Sequence, residues 1–583
     1  MGLSSILTST FCHLLGLLAI LSSTTAAPHL AGRSIASSSY VIRTSLGPAK
    51  GVGCGSGAAR FTLPYAQPPV GNLRFANPQA PAPFKNGTTY DATATPPSCY
   101  GSNGARGGNA PSEDCLYATV YTPATASSTS KLGVLVWIPG GSFIGGSATG
   151  AGLDASNLAV KQNMVVVVLQ HRLGLFGFFQ NAATLDETNG GAPNATKVAG
   201  NQAVRDVVAA LTFVKNNAAA FGGNPSAITI AGQSSGAHMV RVLLTTPAAS
   251  SLFARAALYS DPQNYGLSNA SQAAELTNYG LGDLGCTTLA CARSKSADDI
   301  IGATYDAFSS LPPVDPTMPT GEPFRPSLGK YIPRSLERGL VLKTVTLNNK
   351  AVLFSTVKNE AGTQAGTIFE PTAAGAATLT IRANGFPVDF TTAASLIFNA
   401  GRGVEAAQSP VYAFNATGSA ADSLRARVEL LGTDGLWRCA VQTNAINAQK
   451  SGAKVYLAQT NVGSTYPSNA DVDYCQKSGV VCHEDDIFLI FGTIPSSAST
   501  AVKAVSAEWQ ARLGAFVKTG SPNTNNFGGW NAVGGASALN LLVFGADTNT
   551  GKSQIQQQQR KGVCGPSGIW GSTVQFDWQL YHA

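Results

Sequence analysis

Ala227-Ile-Thr-Ile-Ala-Gly-Gln-Ser-Ser-Gly236 reads as a buried strand that runs without a linker into a tight turn. Residues 227–231 are apolar and β-branched without alternation, the pattern of a strand covered on both faces. Residues 236–245 then carry a helical pattern that stops near Pro247. Gly232 and Gly236 flank Ser234 at two residues on either side, where a sharp strand-to-helix turn would bring two backbones together.

Working outward, residues 134–138 and 165–170 are two more apolar runs without alternation. Over 201–221, Val204, Val207, Val208, Leu211 and Val214 recur at helical spacing and form one apolar stripe. Gly222 and Gly223 close that helix, since glycine enters the left-handed cap conformation at little cost. Strand, helix, strand, turn and helix in this order predict a doubly wound, mostly parallel α/β sheet.

Composition allows such a fold. The chain has 583 residues, 44% hydrophobic and 12% charged, which is ample core material and excludes disorder over most of its length. A net charge of +7 spread over this length forms no basic cluster, so nucleic acid is not an expected partner. Residues 14–21 are apolar, 22–27 are small, and Pro28 follows, the layout of a secretory signal over 1–27. Residues 28–583 are then expected to form a single domain. No apolar run reaches membrane-spanning length, so stable membrane insertion is not expected.

Export fits four sequons, at Asn86, Asn194, Asn269 and Asn415. It also makes disulfides the natural use of the cysteines. Spacing suggests the pairs Cys99–Cys115, Cys286–Cys291 and Cys475–Cys482, with Cys439 open to Cys564 and Cys54 as the free thiol. There is no paired Cys-x-x-Cys set with neighbouring histidines, so neither a metal nor another cofactor is expected.

A serine hydroxyl is a weak nucleophile and needs exposure, a base and a site for the developing oxyanion. The turn at Ser234 would supply exposure. Among the mature histidines, His29 and His582 lie near the ends, His171 continues a buried strand, and His238 sits one turn along the helix from Ser234. His483, in Val481-Cys-His-Glu-Asp-Asp486, remains as the base. The orienting carboxylate is open between Glu360, Asp434 and Glu429; Glu360 has the favoured setting, a loop just after an apolar run.

The stretch from Phe221 to Gly236 resembles the serine-centred signature of the type B carboxylesterases, a family that includes the cholinesterases and the Candida rugosa type of fungal lipase. Glu113-Asp-Cys-Leu-Tyr117 resembles the second signature, and Leu63-Pro-Tyr-Ala-Gln-Pro-Pro-Val-Gly71 with Leu73-Arg-Phe75 the N-terminal pattern. The resemblance implies an α/β-hydrolase fold with large helical excursions and hydrolysis of carboxylic esters. It implies a triad of Ser234, Glu360 and His483, and an oxyanion hole made by the amides of Gly141, Ser142 and Ser235. Arg74 with Glu113, and Arg172 with Asp206, resemble the family's internal ion pairs.

Three departures bear on the chemistry. Ser142 stands where the family has a third glycine, Gln233 precedes the nucleophile in place of glutamate, and Ala361 is inserted between Glu360 and Gly362. The loop between Cys99 and Cys115 is short, polar and without tryptophan, unlike a lipase lid or a choline site. A general esterase acting on small-molecule or lipid esters is thus favoured over a triacylglycerol lipase or a non-catalytic binding protein. The oligomeric state is left open.

Overall fold

The runs without alternation lie at the centre of one large sheet. The computed structural model describes residues 40–571 and 574, apart from 86, 102–106, 182–199, 315–317, 319, 320, 349, 399, 558–561, 566 and 567. The expected signal segment lies outside the described residues. The strands in chain order are β1 (Tyr40–Thr44), β2 (Gly47–Cys54), β3 (Ala58–Pro64), β4 (Tyr90–Asp91), β5 (Tyr117–Pro123), β6 (Leu132–Ile138), β7 (Val165–Leu169) and β8 (Gly223–Gln233). They continue with β9 (Arg255–Tyr259), β10 (Ala351–Val357), β11 (Leu379–Thr380), β12 (Pro387–Val388), β13 (Lys454–Thr460), β14 (Leu541–Phe544) and β15 (Gln554–Gln556).

The spatial order is β1-β2-β3-β5-β7-β6-β8-β9-β10-β13-β14-β15, with β4 beside β2, while β11 and β12 pair apart. From β7 to β14 neighbouring strands are parallel. The β1–β2–β3–β5–β7 edge and β15 are antiparallel. This is the α/β-hydrolase arrangement expected.

Alternate residues of the central strands enter two different cores. Val134, Val136, Ile138, Ile228 and Ile230 pack on one face. Leu135, Trp137, Ala231 and Leu353 pack on the other. Apolar material on both faces is why the sequence shows no alternation there. Helix α1 (Gln202–Asn217) lays Val204, Val207, Leu211 and Val214 on the first core. Its expected continuation to residue 221 is a tighter turn, Ala218–Phe221, ended by Gly222 at φ 81°.

The cysteines pair as their spacing suggests, Cys99–Cys115, Cys286–Cys291 and Cys475–Cys482. Cys439 bonds Cys564 and Cys54 is free. Arg172 grips buried Asp206 through two nitrogens, at 2.9 and 2.7 Å, and Arg74 binds Glu113 at 2.7 Å.

Helix α2 (Ser235–Leu243) begins where β8 ends, and the two backbones nearly touch. A Cβ on Gly236 would lie 2.8 Å from the Pro139 carbonyl oxygen and closer still to that of Ile138; one on Gly232 would collide with Gly236 itself. The obstacles are backbone atoms, which cannot swing aside. Gly236→Ala is therefore expected to destabilise the fold by about 1–3 kcal/mol or more, read from the midpoint of urea unfolding. An unchanged midpoint would mean that the turn tolerates a side chain.

Candidate active site

Ser234 sits in the turn at φ 57° and ψ −129°, a conformation side chains rarely adopt. Such strain persists only where surroundings over-determine it. Here the Ser234 N–H donates to the Tyr259 carbonyl on β9 at 3.0 Å, and its own carbonyl accepts from the His238 N–H at 2.9 Å. Both backbone groups are fixed, which leaves the side chain at the carboxyl end of β8. In open parallel sheets that is the end where sites form.

The glycine-rich loop after β6 wraps the same place. A Cβ on Gly140 would come within 3.0 Å of the Ser234 Cβ, so the loop backbone lies directly beside Ser234. Gly141 has φ 133°, and Ser142 and Phe143 follow at 54° and 58°. Ser142 thus occupies a glycine-type conformation, as its departure from the family pattern suggests, and keeps its amide. Three contacts hold the loop there: the Phe143 N–H donates to Ser235 Oγ at 3.3 Å, the Gly174 N–H donates to the Phe143 carbonyl at 2.8 Å, and the Phe143 ring packs on Phe178 and His238. Ser235 opens α2, whose N-terminal amides and dipole favour negative charge.

His483 and Glu360 come from loops after β13 and β10 and meet directly. His483 Nδ1 lies 2.7 Å from Glu360 Oε2, while Glu360 Oε1 accepts the Val357 N–H at 2.8 Å. Glu360 is wholly buried. The His483 carbonyl accepts from Asn469 Nδ2 at 2.7 Å, and the Trp437 ring faces the imidazole at 5.5 Å. On the other side of the ring, Nε2 accepts from Gln233 Nε2 at 3.2 Å, the residue just before Ser234. Gln233, which stands where the family pattern has glutamate, therefore touches His483 itself. Ser234 Oγ makes no hydrogen bond to His483 here, a contact that in such sites often forms only once substrate is bound.

Burial works against the His483 imidazolium, but the hydrogen bond and charge of Glu360 outweigh it and raise its pKa above 6.5. Neighbouring Asp485 and Asp486 are each pushed up to about 7, chiefly by burial. Asp485 braces the histidine loop by accepting from the Tyr466 and Cys482 N–H groups, both at 2.8 Å.

The other acids and histidines considered fall elsewhere. His238 pairs with Glu322 at 3.2 Å and burial holds it neutral. His171 is a buried core residue whose Nδ1 contacts the Arg172 carbonyl at 3.0 Å. Glu429 and Asp434 lie on the helix behind the Glu360 loop and do not touch His483. Gln233 and Trp437 were not identifiable as partners of the base, because contacts between distant loops leave no pattern along the chain. Among the described residues, no group of three or more metal-ligating side chains comes together.

The profile of the carboxylesterase family matches residues 39–563. Human carboxylesterase 5A is 42% identical over 215 residues, which are 34% of this chain and 34% of that protein. Mouse carboxylesterase 1D is 43% identical over 213 residues, 33% and 34% of the two chains. The chain thus aligns with about a third of the length of these curated relatives. The solved structure of a pNB esterase matches with a TM-score of 0.69 at 25% identity, over 89% of this chain and 98% of the other.

A base must be neutral to take a proton, so kcat/KM for any substrate of this site should fall as pH drops through the raised His483 value. The midpoint is expected above 6.5. Glu360→Gln should move it to lower pH and reduce the rate at neutral pH by on the order of 10³–10⁴. An unmoved midpoint would take Glu360 out of the pair.

Proposed function

The chain belongs to the carboxylesterase family, and from that premise we propose that it is a secreted serine hydrolase of carboxylic esters, with Ser234 as nucleophile, His483 as base and Glu360 as orienting acid. The observation that carries the reading is the 2.7 Å bond between His483 Nδ1 and Glu360 Oε2. It fixes the imidazole's tautomer and presents Nε2 to the turn that bears Ser234.

In the first step His483 takes the Ser234 proton as Oγ attacks the ester carbonyl. The amides of Gly141, Ser142 and Ser235 receive the oxyanion, and His483 returns its proton to the departing alcohol. In the second step His483 takes a proton from water, which attacks the acyl-enzyme. The carboxylic acid leaves and Ser234 regains its proton.

Export is supported by the disulfides and by two exposed sequons, Asn269 and Asn415. Asn86 and Asn194 lie outside the described residues. Small soluble esters fit better than emulsified lipid, because the Cys99–Cys115 loop carries so little apolar surface. No helix among the described residues is long and apolar enough to cross a membrane. Likeness to the Candida rugosa type of lipase would instead predict a jump in turnover as substrate passes into emulsion.

Ser234→Ala is expected to cut turnover of a short-chain nitrophenyl ester by on the order of a millionfold while its thermal transition stays at or above that of the parent. Turnover at the parent's rate would defeat the assignment.

A further inference from the structure

The loop that carries Glu360 places Ala361 between the acid and Gly362 and holds the carboxylate within 2.7 Å of the imidazole. Its backbone is fixed on two sides. From the sheet and the histidine loop, the Lys358 and Asn359 N–H groups donate to the Thr460 and Val481 carbonyls, both at 2.9 Å, and Asn359 Oδ1 accepts the Val481 N–H at 3.1 Å.

The opposite side is a single bent helix. Helix α3 (Ser423–Gly432) passes through a π-helical turn, Thr433–Arg438, into helix α4 (Cys439–Lys450). A π turn inserts a residue into a helix and is enriched at functional sites. Three polar contacts from it reach the loop at Lys358, Asn359 and Ala361, on both sides of Glu360. Arg438 Nη2 donates to the Lys358 carbonyl at 3.0 Å. Asn359 Nδ2 donates to Glu429 Oε2 at 2.9 Å. The Ala361 N–H donates to Thr433 Oγ1 at 3.0 Å.

The direction of the last bond is set by chemistry. A hydroxyl has one proton and two lone pairs. Thr433 gives its proton to Glu429 Oε1 at 2.6 Å, so a lone pair is left for the Ala361 amide. Burial raises the Glu429 pKa, and the hydrogen bonds from Thr433 and Asn359 pull it back towards the charged form. Thr433 has no exposed surface, so solvent does not reach the hydroxyl to replace either partner. Arg438 is itself braced by Asp434, which accepts the Tyr412 hydroxyl at 2.8 Å. From the same turn Trp437 donates to the Ser260 carbonyl at 3.1 Å and lays its ring on His483.

We propose that Thr433, oriented by Glu429, is a positioning residue for Glu360: it pins the Glu360–Ala361 peptide immediately after the acid. The π turn provides the local widening that brings Thr433, Trp437 and Arg438 to the loop together. Glu429 and Asp434 serve the acid by holding its loop rather than by touching the base.

The inference rests on the hydrolase reading. An inactive parent enzyme defeats that reading, whereas an active parent with an indifferent Thr433 variant defeats only this one. Thr433→Val keeps shape and volume but removes both hydrogen bonds; Thr433→Ser keeps the hydroxyl. The assay is steady-state hydrolysis of a short-chain nitrophenyl ester across pH, with kcat, KM and the acid limb of kcat/KM read separately. T433V is expected to lower kcat by on the order of ten- to a hundredfold at constant KM. It should also move the acid limb to lower pH, because a displaced Glu360 supports the imidazolium less. T433S should restore both. Parent-like kcat and acid limb in T433V, a fall in kcat with an unmoved acid limb, or no recovery in T433S would each overturn the proposal. Should T433V fail to fold, Thr433→Ala against T433S makes the same comparison with the same expected and contrary results.

Discussion

The arrangement depends on the contact between the end of β8 and the start of α2, where two backbones approach as closely as glycine permits. Gly236 lies against the Ile138 and Pro139 carbonyls, and Gly232 against Gly236. That closeness forces Ser234 to φ 57° and lifts its side chain off the sheet. The same contact brings the loop after β6 beside Ser234, so the loop amides and the hydroxyl lie close together. Strain of about 1–3 kcal/mol in such a residue is carried by the sheet, since both Ser234 backbone groups are hydrogen-bonded.

Around that point the protein keeps charge under tight control. Glu360 is buried with its two oxygens occupied by His483 and the Val357 amide. Asp485, Asp486 and Glu322 are also buried, and burial pushes each up to about 7. Gln233 follows the same logic, since an amide in place of a carboxylate adds a hydrogen bond to Nε2 without another negative charge. A base whose strength is set mainly by one partner is one that a single positioning contact can tune, which is why the helix behind the Glu360 loop matters.

Much of this was legible from the chain because it is local. Buried strands, the helix at 202–217, the turn at Ser234 and the disulfides closed by short loops all follow from neighbours in sequence. Elimination reached His483 because few histidines compete. The acid resisted, and its structural context shows why: Glu360, Glu429 and Asp434 lie in one cluster, and only the approach of a bent helix to a loop decides which one meets the imidazole. Gln233 could be seen as a lost charge but not as a partner of the base. The bond Cys439–Cys564 spans 125 residues, too far for spacing to determine. Ser142 sits at φ 54° where the family pattern has glycine, and the anchoring of Phe143 that makes this tolerable is tertiary.

The central claim is that Ser234 is an activated nucleophile beside an oxyanion site. A fluorophosphonate reacts at such a serine by losing fluoride and leaving a phosphonyl group on Oγ. Peptide mass spectrometry after brief labelling of the intact protein reads the position directly. The account predicts one adduct, on the peptide bearing Ser234, and none when His483 is replaced by alanine. No adduct on that peptide, or labelling undiminished without His483, would contradict it.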